Sequence, residues 1–100
     1  MKKYQLTSST VSVLKMFRNV YSHAYKNHPE SYGARLYQAC NDAFYNNNEP
    51  VNILKVCIIL QACSEVVALG HMLPVTSEVV LRDMAKISGY KESELLERVA

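Results

Sequence analysis

The sequence predicts an all-α fold, a compact single-domain bundle of four to five helices around a central buried helix at about residues 51–69. Three observations carry this expectation. Glycine and proline are scarce, three of each in one hundred residues, and turn-rich all-β domains need more of both. The prolines at 29, 50 and 74 and the glycines at 70 and 89 fall between segments of helical periodicity. The most apolar run, ILKVCIILQAC at 53–63, lies in a stretch too long for one strand and without a turn signal.

The chain divides as follows. After a short N-terminal arm at 1–7, Thr7 to Ser9 supply N-cap candidates for a first helix reaching about Asn27. At 100° per residue, Val13, Phe17, Val20, Tyr21 and Ala24 share one face, with Leu14 at its edge. Lys15, Arg18, Asn19, Ser22 and Lys26 share the opposite one. Pro29 is expected to close this helix and open a second, in which Leu36, Ala39, Cys40 and Ala43 recur at inward spacing. Gly33 weakens that helix locally, at about 1 kcal/mol relative to alanine in a helix interior. Asn46 to Asn48 end it and Pro50 starts the third.

The third segment, 51–69, has the length of a membrane span, yet Lys55, Gln61, Ser64 and Glu65 lie within it. A central charge costs a spanning helix several kcal/mol, which excludes that reading. Apolar residues surround most of the wheel, so the helix is expected to pack on several sides. A fourth helix follows HMLPV, with Thr76 or Ser77 as cap, and Gly89 breaks it. A short last helix turns Tyr90, Leu95, Leu96 and Val99 inward.

Chemistry-bearing residues are few. Six positions separate Cys57 from Cys63, about 9 Å of rise and 120° of rotation on a helix. That geometry forbids a disulfide and a shared tetrahedral zinc, so both read as small buried hydrophobes. His23 and His28 are expected on different faces, and His71 in a loop. No HxxxH, HxxE or CxxC spacing joins them to Cys40, Asp42 or Glu65. No catalytic set, cofactor site or metal site is therefore expected, and the chain is read as a non-enzyme.

Residues 81–100, LRDMAKISGYKESELLERVA, resemble the helix-turn-helix of many DNA-binding regulators: Ala85 at a helix crossing, Gly89 at the turn, Leu95 inside the second helix. The resemblance implies a nucleic-acid partner. The second helix, however, sets Glu92, Glu94 and Glu97 against Lys91 and Arg98, an acidic face to offer to phosphates. A plain αα-corner fits the same spacing.

Charge is polarised. Residues 1–28 hold Lys2, Lys3, Lys15, Arg18 and Lys26 and no acid, while the rest of the chain carries all nine acids. The basic face of the first helix, bordered by Tyr25, is the expected partner-binding surface: Lys15, Arg18, Ser22, Tyr25 and Lys26. Basic and aromatic residues together suit an acidic protein surface. They also suit nucleic acid, which stands as the alternative. Polar TSST follows Lys2 and Lys3 where a signal peptide needs an apolar core, and an odd cysteine count fits a reducing compartment. The expectation is a small cytoplasmic module that acts by occupying a protein partner, as inhibitors, immunity proteins, antitoxin-like factors and adaptors do. Its composition would suit a phage or mobile element, and a homodimer is compatible with it.

Overall fold

The structure, a computed structural model, describes residues 6–45, 50–70 and 77–99. Five α-helices follow one another: α1 Ser8–Asn27, α2 Tyr32–Phe44, α3 Ile53–Ala68, α4 Ser77–Ser88 and α5 Glu92–Val99, and no strand occurs among the described residues. Helix α1 lies against α2 and α4, and α3 packs on α2, α4 and α5. The all-α bundle with a central third helix is the observed architecture.

Helices α1, α2 and α3 each begin where a side chain satisfies a free amide. Thr7 caps α1, its hydroxyl accepting from the Thr10 amide at 3.3 Å. The Thr7 amide and hydroxyl in turn donate to Asp83 Oδ2 on α4, at 3.0 and 2.8 Å. Asp83 is 1% exposed, so this carboxyl joins the start of α1 to α4 inside the protein. Of the expected arm, residues 1–5 lie outside the described residues, and Leu6 packs on the core. Asn46 to Asn48, His71 and Thr76 also lie outside them.

Two proline starts need correction. Pro29 and Glu30 form a turn, and α2 opens later because Ser31 caps it, accepting from Ala34 N at 3.2 Å while donating to His28 O at 2.7 Å. Likewise α3 begins after Asn52, whose Oδ1 accepts from Leu54 N at 2.7 Å. Val51 is withdrawn from the helix by a tertiary bond: its amide donates to Ile87 O at 2.8 Å, occupying a carbonyl in the last turn of α4. Gly70 and Gly89 stop α3 and α4 with φ of +85° and +78°, a conformation that favours glycine.

The core draws on all five helices. Leu14, Leu36, Ile59, Met84, Ile87 and Leu95 are its largest fully buried side chains that are wholly apolar. The inward set predicted for α2 is entirely buried. Two residues expected inside are not: Val20 is 64% exposed and Leu96 53%. On α1 the buried set is Thr10, Val13, Leu14 and Phe17. The inward face is thus rotated toward Leu14, which leaves Val20 beyond its edge. Helix α3 is buried through its middle, but Leu54, Val67 and Leu69 at its ends are exposed.

Gly33 lets α2 pack tightly against α1. A Cβ built there would stand 2.6 Å from Tyr21 Cδ1 and 3.1 Å from Ala24 Cβ. Gly33→Ala should therefore destabilise the domain by about 1–2 kcal/mol. Overpacking costs about 1–3 kcal/mol and outweighs a helix-propensity gain of at most about 1. A thermal melt checks the sign; an increase in stability would mean that the helices separate cheaply. Ile59→Ala, at a fully buried site, should cost about 2–5 kcal/mol. A melting shift of only a degree or two would place α3 at the periphery.

Candidate partner-binding face

Across the Gly33 contact, side chains of α1 meet side chains of α2. Arg18 lies with its guanidinium carbon 5.7 Å from the Tyr37 ring centroid and 5.0 Å from that of Phe44. Such cation–π contacts hold a guanidinium in place for about 0.5–1 kcal/mol each. Tyr37 is also held by Tyr25, stacked at 4.4 Å with the planes 22° apart.

Lys15, Arg18, Asn19, Ser22 and Tyr37 surround an open hollow of about 250 Å³. The structure therefore gathers three of the five predicted residues, Lys15, Arg18 and Ser22, around one concavity, and Tyr25 adjoins it through Tyr37. Lys26, exposed in the last turn of α1, does not line it. Ser22 turns its hydroxyl to Asn19 O at 3.2 Å, within its own helix. Arg18 departs most from the expected solvated stripe: it is half-buried, and its Nε is buried without a hydrogen-bond partner.

Tyr37 is the residue that reading α1 alone misses. Its position depends on how α2 crosses α1, which a helical wheel of one segment does not contain. The only available signal was the number of tyrosines, seven in the chain.

Beyond the tyrosine pair runs a second, larger groove of about 480 Å³, bounded by Tyr25, Pro29, Arg35, Leu54 and Ile58 among others. Leu54 is 67% exposed there. On its rim Lys55 pairs with Asp42, whose other oxygen accepts from Gln38 Nε2 at 3.0 Å. That is the one salt bridge among the described residues, so Lys15, Lys26 and Arg35, which face solvent, and the half-buried Arg18 have no paired acid there.

The remaining chemistry-bearing residues are dispersed. His23 and His28 come together, contrary to the expected separate faces, with ring centroids 6.1 Å apart. Helix α1 ends at Asn27, so helical rotation no longer sets the direction of His28. Among the described residues no group of three His, Cys, Asp or Glu could hold a metal ion. None of the helices there is long and apolar enough to cross a membrane. Cys40, Cys57 and Cys63 are all buried free thiols.

No protein-family model, curated protein or solved structure matches this chain.

Burial pushes the Cys40 and Cys63 thiols from 9.0 up to about 12. Nearby Cys63 adds to the effect at Cys40, and Arg18 opposes it. Cys57, at the margin of the core, is raised by burial and held back by Arg98. Since the thiolate is the reactive form, Cys40 and Cys63 should resist a bulky thiol reagent under native conditions and react on unfolding. Raised acid constants also give an alkaline limit. Stability should be level with respect to these groups below about pH 9 and fall as pH rises toward 12, where only the unfolded chain readily releases the protons. Denaturant melts across this range check the slope, and rapid native labelling would contradict the burial.

Proposed function

We propose that this protein is a small, non-enzymatic, cytoplasmic binding module that acts by occupying a protein partner through the α1–α2 face. One observation carries the reading: Lys15, Arg18 and Lys26 stand without a paired acid beside an ordered tyrosine pair and an apolar groove. Interfaces favour tyrosine and arginine anchors over desolvated pockets, and a positive face selects and steers an acidic partner. The module thus belongs with inhibitors, immunity proteins, antitoxin-like factors and adaptors in its mode of action.

The acidic α5 supports a protein partner over nucleic acid. Glu94 Oε1 is engaged by the Lys91 amide at 3.0 Å, capping the helix, and Glu92 and Glu97 are exposed. This surface repels phosphate.

Lys15→Glu combined with Lys26→Glu tests the reading without touching Arg18, which is packed. Both sites are exposed, so folding should change by no more than about 0.5 kcal/mol per substitution. Capture of the partner from the native host, followed by binding kinetics with that partner, should show association slowed about tenfold at low salt. The deficit should shrink as salt screens the charges. Glu94→Lys with Glu97→Lys should leave that partner's binding intact. A double α1 mutant that folds and retains full binding would remove this surface from consideration. Tight duplex binding whose log K falls by nearly one unit per phosphate contact with log salt would favour the nucleic-acid alternative instead.

A further inference from the structure

The hollow on α1 has an unusual donor set. Lys15, Arg18, the Asn19 amide and the Tyr37 hydroxyl can all donate into it, and none of the described residues that line it is an acid. Arg18 Nε is buried behind its lining without an acceptor. Leaving a buried donor unpaired costs about 1–3 kcal/mol, more when it is charged; the terminal nitrogens of the same guanidinium are not buried and have no acceptor, so they are the donors open to an oxyanion from outside. The guanidinium is also preorganised, since Tyr37 and Phe44 fix it and Tyr25 fixes Tyr37. A planar guanidinium fork matches an oxyanion bidentately.

We infer that this hollow is a carboxylate-binding pocket, filled by an Asp or Glu side chain of the protein partner, with Arg18 as the principal ligand and Lys15 and Tyr37 beside it. At about 250 Å³ it falls below the roughly 300–1,000 Å³ of small-molecule sites. It has room for a side-chain terminus. The adjoining groove decides the source of the anion. Across the tyrosine pair, Leu54 and Ile58 offer an apolar trough. A protein segment carries acidic and aliphatic side chains close together, and a sugar-phosphate backbone does not. The partner epitope is therefore an acidic side chain with an aliphatic or aromatic neighbour, one on each side of the Tyr25–Tyr37 ridge. This inference rests on the α1–α2 face being the protein-binding surface.

The Arg18 Nε–H resonance in a ¹H–¹⁵N spectrum of the full chain reads the pocket directly. Titration with sodium acetate, against sodium chloride at equal ionic strength, should move it downfield and saturably, with an affinity about tenfold above that of chloride. Arg18→Lys, which keeps the charge and loses the fork, should weaken acetate binding about tenfold, followed at the neighbouring amides of α1. Three results would overturn the pocket. One is a response to acetate no larger than to chloride. Another is a saturable response to inorganic phosphate exceeding that to acetate. The third concerns Asn41, on the same face of α2 as Tyr37 and Phe44, whose Oδ1 is also buried without a partner. If Asn41→Ala moves the Arg18 signal while acetate does not, the guanidinium is satisfied internally. Loss of partner binding in the Lys15→Glu, Lys26→Glu protein together with an acetate-blind Arg18 keeps the binding face and removes only the pocket. A partner indifferent to that double mutant removes the face itself.

Discussion

The missing side chain at Gly33 sets how closely α1 and α2 approach, and most of what is distinctive about the surface follows from that distance. With the Tyr21 ring resting where a Cβ would be, the next turns of the two helices bring Arg18 within reach of Tyr37 and Phe44, and Tyr25 onto Tyr37. A wider spacing would release the guanidinium to solvent and unstack the tyrosines. It would also open the hollow between them into a flat face. A packing constraint in the first turn of α2 thereby shapes a charged surface more than one helical turn away.

The fold was legible in the sequence because its signals are local and redundant. Helix existence came from periodicity, and helix ends from Thr7, Gly70 and Gly89, whose roles depend only on their own backbone. The displaced starts of α2 and α3 show the limit. Proline is permitted in a first turn but does not compel one, and Ser31 and Asn52 capped more effectively a few residues later. Val51 gave no local sign that its amide would be drawn to α4. The face of α1 was read with a small rotational error. A wheel weighs Val20 as apolar, while burial is decided by where α2 and α4 lie. For the same reason the charges of the candidate face were visible in advance and its tyrosine floor was not.

Among the described residues, three side chains hold polar atoms that are buried and unpaired, and two of them contrast informatively. Asp83 leaves Oδ1 without a partner, but its Oδ2 takes two donors from Thr7. That group is an internal joint, largely satisfied within the fold. Arg18 is unsatisfied at Nε, beside a concavity open to solvent whose described lining holds no acid. Folding alone gives no reason to keep such an arrangement, since burying an unpaired donor lowers stability. Natural proteins tolerate local departures of this kind chiefly where a surface is used.

The Asp83 joint also bears on the order of events during synthesis. Thr7 and Asp83 are 76 residues apart, so on the ribosome the first helix of the chain waits for nearly the whole domain before its leading amide and hydroxyl find their acceptor. The hairpin of α1 and α2 needs only neighbouring sequence, whereas the Thr7–Asp83 bonds cannot form until α4 has emerged. The bond is thus a closure signal. A chain truncated before residue 83 lacks it entirely, and its opening residues remain exposed to proteases for as long as the fold is incomplete.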